Sequence, residues 1–149
     1  MECTVTWTGH SGTRSGMGFV AETGSGHVLA MDGAPDERNP AQGGQNLAPR
    51  PMEAVLAGTG ACSAYDVVLI LKRGRHAVSG CTVRLSSERA ATDPKVFTWI
   101  QMHFVVTGRG LEASAVERAI ALSHQKYCSA SIMLAHSVDI RTSFEVLEG

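Results

Sequence analysis

Several features that would decide the class of a protein are missing from this sequence. It has no run of basic residues, since 13 Lys and Arg are balanced by 14 Asp and Glu for a formal net charge of -1. A nucleic-acid partner is therefore not expected, because nucleic-acid-binding proteins carry a concentrated basic surface. The first residues lack the charged start and the apolar stretch of a signal peptide, which predicts a cytoplasmic protein.

Long apolar runs and local metal-ligand patterns are also missing. The most apolar segment, from Ala54 to Leu71, contains Asp66 and stops short of the roughly 20 residues of a membrane span. We therefore expect a buried helix there and no membrane partner. The four Cys and six His form no CxxC, HxxxH or HExxH motif, so no metal site and no cofactor is expected.

The composition is that of an ordinary globular protein. Apolar residues make up 44% of the 149 residues and charged residues 18%. This length is typical of one domain with a single core, so we predict one domain over residues 1–149. In a reducing cytoplasm the cysteines would stay as thiols, and any disulfide would be transient and part of the chemistry.

The residue patterns predict an α+β fold in which helices and strands are segregated along the chain. A helix from Pro51 to Lys72 is apolar nearly all round, so we expect it at the centre, enclosed by a sheet or a partner subunit. The segment Ser114 to Glu117 fits a capping box, which predicts the start of a second helix. The predicted elements are strands at 2–8, 17–22 and 27–31, the long helix, strands at 78–88 and 96–107, helices at 114–126 and 129–135, and a strand at 138–147.

Two cysteines stand out by their surroundings. Cys62 lies in the segment GTGACSAYD, whose small side chains leave room for a ligand, and Cys128 follows the second helix in HQKYCSAS. Cys62 could be a reactive thiol, or a buried cysteine that packs as a small hydrophobic residue. The two cysteines are 66 residues apart, so only the fold can bring them together.

Three segments resemble one known family. PMEAVLAGTGACSAYDVVLILKR, QKYCSASIML and SGHVLAMDG are similar to the OsmC/Ohr superfamily, particularly to its OsmC-like branch. The resemblance covers nearly the whole chain in the same element order. It implies an OsmC-like fold, with antiparallel sheets wrapped around a long central helix in an intertwined homodimer.

The resemblance also implies a chemistry. In the peroxidase members, the helix cysteine attacks an organic hydroperoxide and becomes a sulfenic acid, which condenses with a second cysteine to a disulfide. Carried over to this chain, Cys62 is the attacking cysteine and Cys128 the resolving one. A dithiol reductant, such as a lipoyl group, then reduces the disulfide.

The glutamate and the arginine that activate the cysteine in the peroxidases are only partly matched in this chain. The peroxidases carry a glutamate ten residues before the helix cysteine, where this chain has Met52, and Glu53 is nine residues before Cys62. Nine residues turn a helix by about half a circle, at about 100° per residue, so Glu53 should point away from Cys62 and support the helix start instead. For the family's activating arginine, Arg14 is the candidate.

Two functions therefore follow from the sequence. The first is a thiol-dependent peroxidase that reduces organic or lipid hydroperoxides in oxidative-stress defence, with Cys62 as nucleophile and Cys128 as its partner. The alternative is a non-catalytic OsmC-like protein that binds a small hydrophobic ligand at the dimer interface. A titration of the Cys62 thiol would separate them, because a working nucleophile is substantially ionised near neutral pH.

Overall fold

The computed structural model describes residues 1–8 and 16–149. The helices and strands follow the predicted order: β1 (Cys3–Trp7), β2 (Phe19–Thr23), β3 (Val28–Met31), α1 (Pro51–Arg73), β4 (Ala77–Arg89), β5 (Phe97–Arg109), α2 (Ala113–Leu122), α3 (Ser129–Leu134) and β6 (Asp139–Leu147). A π-helical turn, Ser123–Tyr127, joins α2 to α3. The α+β fold class is confirmed.

The chain divides into two compact units, Met1–Val55 and Leu56–Gly149. The first unit contains an antiparallel three-stranded sheet in the order β1-β2-β3. All of β1 is exposed, including Val5 at 57% and Trp7 at 51%, although its alternating pattern predicts a half-buried strand. The prediction of a single domain over residues 1–149 stays a prediction.

Asp32 organises the long segment between β3 and α1. Its buried carboxylate accepts hydrogen bonds from the backbone N–H groups of Gly33 at 2.7 Å, Gln45 at 3.0 Å and Leu47 at 3.0 Å. These donors, with Leu47 the strongest, lower the pKa of Asp32 even though burial opposes them. A single carboxylate thus ties the two ends of the segment together.

The start of α1 is closed by a side chain of its own first turn. Glu53 accepts a hydrogen bond from the backbone N–H of Arg50 at 2.9 Å, which satisfies a donor that the helix leaves free. Pro51 occupies the first helical position, where a missing N–H has no cost. Lys72 and Arg73 lie in the last turn, as expected from the helix dipole.

Within residues 1–8 and 16–149, one stripe of α1 is buried. The buried residues are Thr59, Gly60, Ser63, Val67 and Leu71. Tyr65 is 69% exposed, so the expected enclosure of α1 on all sides is not found in one chain. Among the described residues, α1 is the one helix whose length and composition would allow it to cross a bilayer. A core helix of a soluble protein can have the same length and composition.

The second unit contains a mixed sheet in the order β4-β5-β6. β4 and β5 pair antiparallel, as the predicted hairpin requires, whereas β6 pairs parallel to β5. The expectation of purely antiparallel sheets is therefore wrong. The reason is topological: α2 and α3 form a long crossover between β5 and β6, and a crossover returns the chain in the same direction.

The segment after β5 differs most from its prediction. α2 begins after Glu112, and no side chain caps it, so the capping box of Ser114 and Glu117 does not form. The helix also widens after Leu122, where the N–H of Cys128 bonds the carbonyl of Ser123 at 2.8 Å. Such π-helical turns are rare and are frequently found at functional sites.

Candidate functional site

The fold brings three chemically important side chains together. The sulfur atoms of Cys62 and Cys128 and a carboxylate oxygen of Asp66 all lie within 4.8 Å of one another. Cys62 and Asp66 are one turn apart on α1 and therefore share a face, while Cys128 follows the π-helical turn. Both cysteines are free thiols, Cys62 partly exposed and Cys128 buried.

Local hydrogen bonds hold Cys128 in place. Cys128 is the N-cap of α3, and its sulfur accepts a hydrogen bond from the N–H of Ser131 at 3.4 Å. The Ser131 hydroxyl donates to the Cys128 carbonyl at 3.2 Å. Burial raises the pKa of Cys128, and the Cys62 thiol beside it adds to this effect, although the Ser131 donors oppose it. Cys128 is therefore a protonated thiol at neutral pH.

A chain of hydrogen bonds orients Asp66. The Ser123 hydroxyl donates to the Asp66 carboxylate at 3.4 Å, and the hydroxyls of Ser63 and Ser123 are 3.2 Å apart. Ser63 also lies 3.4 Å from Nε2 of His124. If Ser123 donates to the carboxylate, Ser63 donates to Ser123 and accepts from the ring N–H of His124. In this series of hydrogen bonds, each group donates to the next one, and the last donor points at the Asp66 carboxylate.

His124 does not bring positive charge to this site. Burial lowers the pKa of His124 below its ordinary value of 6.5, so the ring is neutral at pH 7. The ring packs edge-on against Phe104, with the ring centroids 6.4 Å apart. A neutral His124 positions Ser63 and cannot stabilise a thiolate by charge.

A small cavity of about 220 Å³ lies beside Asp66. Its lining residues are Asp66, Leu69, Ile70, Arg73, Leu122 and Tyr127. Four of them follow the helical spacing along one face of α1, so the cavity runs two turns along that helix. The middle of this cavity is apolar, and its two ends carry opposite charges. It can accept a short apolar chain with a polar group at either end.

The other predicted site residues lie elsewhere. Glu53 is engaged at the helix start with Arg50. Arg14, the candidate activating arginine, lies outside the described residues. Cys3 is exposed in β1, and burial raises the pKa of the half-buried Cys81 in β4. Neither belongs to the cluster of Cys62, Asp66 and Cys128.

Two further residues of this site, Asp66 and Ser131, carry a spacing signal in the sequence. Asp66 follows Cys62 by four residues, which on a helix places both side chains on one face. Ser131 follows Cys128 by three residues, the spacing at which an N-cap side chain meets a backbone N–H. Ser63, Ser123 and His124 carry no comparable signal, since their contacts link separate segments.

Comparisons with known proteins identify the family of this chain. A family model described as "OsmC-like protein" matches residues 43–143. The chain belongs to the OsmC-like family. It is 44% identical to protein YhfA of Escherichia coli K12 over 147 residues, which cover 99% of this chain and 98% of YhfA.

Solved structures support the same fold. A chain solved in structural genomics has a TM-score of 0.82 at 42% identity, with all of both chains covered. The organic hydroperoxide resistance protein OsmC of Legionella pneumophila has a TM-score of 0.67 at 21% identity, with 97% of each chain covered. At that identity, the second similarity establishes a common fold and nothing finer. The OsmC-like fold is thus confirmed.

Proposed function

We propose that this protein is a thiol peroxidase that reduces organic hydroperoxides, with Cys62 as the nucleophile and Cys128 as the resolving cysteine. One observation carries the proposal: two thiols 66 residues apart lie with their sulfurs within 4.8 Å. A disulfide needs sulfurs about 2 Å apart, so the two sulfurs must approach each other by at most about 3 Å to form the bond. In a reducing cytoplasm, a pair of this kind is typical of transient redox chemistry.

The reaction proceeds in two chemical steps. The Cys62 thiolate attacks the outer oxygen of the hydroperoxide, the O–O bond breaks, and the leaving alkoxide takes a proton to become an alcohol. Cys62 is then a sulfenic acid. The Cys128 sulfur attacks it, a disulfide forms, and water leaves. The peroxide is reduced by two electrons, and the two thiols are oxidised by two electrons.

Exposure and ionisation support the two roles proposed for these cysteines. Cys62 is partly exposed, so an external peroxide can reach it, whereas Cys128 is buried. The raised pKa of Cys128 keeps that thiol protonated until a sulfenic acid forms next to it. The cavity beside Asp66 supplies an apolar surface for the organic part of the hydroperoxide.

Asp66 is the carboxylate that serves this chemistry. Glu53 already accepts a hydrogen bond from Arg50, while Asp66 lies within 4.8 Å of both sulfurs and is oriented by Ser123. It can accept the proton of a thiol and return it to the leaving oxygen. A carboxylate one turn after the cysteine thus takes the place of the family's glutamate before it.

The reductant, the cellular location and the oligomeric state of the enzyme are part of this proposed function. A dithiol such as a lipoyl group reduces the Cys62–Cys128 disulfide, and the protein acts in the cytoplasm as a homodimer in oxidative-stress defence. The exposed apolar surface of α1, including Tyr65, supports a second copy of the chain as its cover. The strand β1 is also exposed, which likewise supports a second copy of the chain as its cover.

Peptide mapping after oxidation tests the proposal. With one equivalent of cumene hydroperoxide, we expect a Cys62–Cys128 disulfide in the mass spectrum, with Cys3 and Cys81 unmodified. Cys62→Ser should abolish peroxide consumption, because a serine hydroxyl does not form a sulfenic acid. Cys128→Ser should allow one fast turnover and leave a sulfenic acid on Cys62 that dimedone traps.

A non-catalytic ligand-binding protein is the alternative that the cavity favours. Its apolar lining by Leu69, Ile70 and Leu122 would hold a small hydrophobic ligand without any redox step. Two unmodified thiols after treatment with peroxide would favour this alternative over the peroxidase. A Cys3→Ser/Cys81→Ser variant serves as the control, since its peroxide consumption should match that of the natural chain.

A further inference from the structure

The cluster of Cys62, Asp66 and Cys128 has the composition of a metal site. We propose that the reduced protein binds one thiophilic divalent cation, of the Zn²⁺ class, through the two sulfurs and the Asp66 carboxylate. The binding needs only reduced thiols and does not rest on the proposed peroxidase activity.

The spacing of the three ligand atoms fits such an ion. In a tetrahedral zinc site, bond lengths of about 2.3 Å to sulfur and about 2.0 Å to oxygen place the ligand atoms roughly 3.5–3.8 Å apart. In this structure the three atoms lie within 4.8 Å of one another. Side-chain rotations that bring the ligand atoms closer by at most about 1.3 Å would complete the geometry.

The chain segments that supply the three ligands are arranged as in known zinc sites. Cys62 and Asp66 stand four residues apart on α1, the spacing by which a helix presents two ligands on one face. Cys128 comes from a separate segment, as the third ligand usually does in sites with an open position. These ligands form no HxxxH or CxxC pair, so the sequence carries no local motif for this site.

Charge favours a cation in this place. Metal binding releases the thiol protons, and the cation then lies between two thiolates and a carboxylate that would repel one another without it. Within the described part of the chain, Asp66 forms no ion pair, and its contact is the Ser123 hydroxyl. Two sulfur ligands select Zn²⁺ or Cd²⁺ over Mg²⁺ or Ca²⁺, which prefer oxygen.

The surrounding hydrogen bonds support the ligands in the same way as in other metal sites. Ser123 donates to the Asp66 carboxylate at 3.4 Å, and the Ser131 N–H donates to the Cys128 sulfur at 3.4 Å. Such outer partners fix ligand orientation and raise metal affinity. Three protein ligands leave a fourth position for water or for an external thiol.

A cadmium titration tests the site directly. Reduced protein carrying Cys3→Ser and Cys81→Ser is titrated with Cd²⁺ without air, and the thiolate-to-cadmium charge-transfer absorption is followed. We expect saturation at one Cd²⁺ per chain and displacement by Zn²⁺. On the same background, Cys62→Ala should lose about half of the absorption, because one of two sulfur ligands is gone. Asp66→Asn should keep the absorption but weaken binding by about tenfold or more.

The control is a carboxylate on the same helix that lies outside the cluster. Glu53→Gln should leave cadmium binding unchanged, since Glu53 is engaged with Arg50. Absence of the absorption, or affinities unaffected by Cys62→Ala or by Asp66→Asn, would overturn the proposed site. If peroxide consumption is absent while the titration gives the expected result, the proposed peroxidase fails and the metal site stands.

Discussion

At the scale of single residues, a Glu53 variant distinguishes two roles of its carboxylate: stabilising the start of α1 or taking part in peroxide reduction. Its hydrogen bond to the Arg50 N–H predicts that Glu53→Gln leaves peroxide turnover within a few-fold of the natural chain. The free energy of unfolding should fall by roughly 0.3–1 kcal/mol, because the negative charge at the helix start is lost. Turnover kinetics and chemical denaturation measure the two effects. A hundredfold loss of turnover would mean that Glu53 reaches the reactive cysteine.

Asp66 should behave in the opposite way. Asp66→Asn removes the proton acceptor beside the two sulfurs and leaves the size of the side chain unchanged. We expect the rate constant for Cys62 oxidation by cumene hydroperoxide to fall by about a hundredfold, as is typical when a general base is lost. Asp66→Glu should recover part of the rate.

Stopped-flow kinetics over a pH series distinguish Asp66 as a proton acceptor from Asp66 as a charge that only repels the Cys62 thiolate. If Asp66 only repelled the thiolate, Asp66→Asn would ionise Cys62 more easily and would accelerate its oxidation at neutral pH. An accelerated reaction would therefore contradict the proposed role. The Glu53→Gln variant provides the matched loss of one negative charge from α1.

At the scale of secondary-structure elements, Asp32 should make the segment before α1 sensitive to acid. Its pKa is lowered in the folded protein, mainly by the Leu47 N–H, so the folded state binds this proton more weakly than the unfolded state. The stability contributed by Asp32 is fully present above the ordinary pKa of 3.8 and is lost as the pH falls through the lower folded value.

The corresponding variant is Asp32→Asn. We expect it to lower the free energy of unfolding at pH 7 by about 1–3 kcal/mol, because backbone donors lose a charged acceptor. Denaturation of both proteins from pH 7 to pH 2 should show the difference narrowing in acid. A constant difference across this range would contradict the assigned cause. Glu37→Gln, at an exposed residue of the same segment, is the control.

The order of the elements could be predicted because each carries a local signal. The alternation of β4 and β5, the terminal residues of α1 and the turn between β2 and β3 depend on neighbouring residues in the chain. The π-helical turn, Ser123–Tyr127, could not be predicted, since its wider hydrogen bonding has no distinct residue pattern. The same holds for the parallel pairing of β6, which is decided by where the crossover returns.

At the scale of the whole molecule, the open surface of α1 predicts self-association. We expect sedimentation at micromolar concentration to give a homodimer, because a large exposed apolar surface is rarely left open in water. Tyr65→Asp should weaken the dimer by at least about tenfold, since a charge would be buried against apolar groups. Met133→Asp is the control and should not change association, since Met133 lies on α3 and is exposed to nearly the same degree as Tyr65. A stable monomer of the natural chain would contradict the expectation.

The sequence by itself determined the α+β class, the order of the elements and the two cysteines of interest. These depend on periodicity and on residue types in short segments, which one chain displays without its fold. Only the tertiary structure decided that Cys62, Asp66 and Cys128 meet. Their meeting depends on how α1 packs beside the turn after α2, and no local pattern encodes a contact between segments about 60 residues apart. The same packing buries Cys128 and half-buries His124, which sets the direction of their pKa shifts.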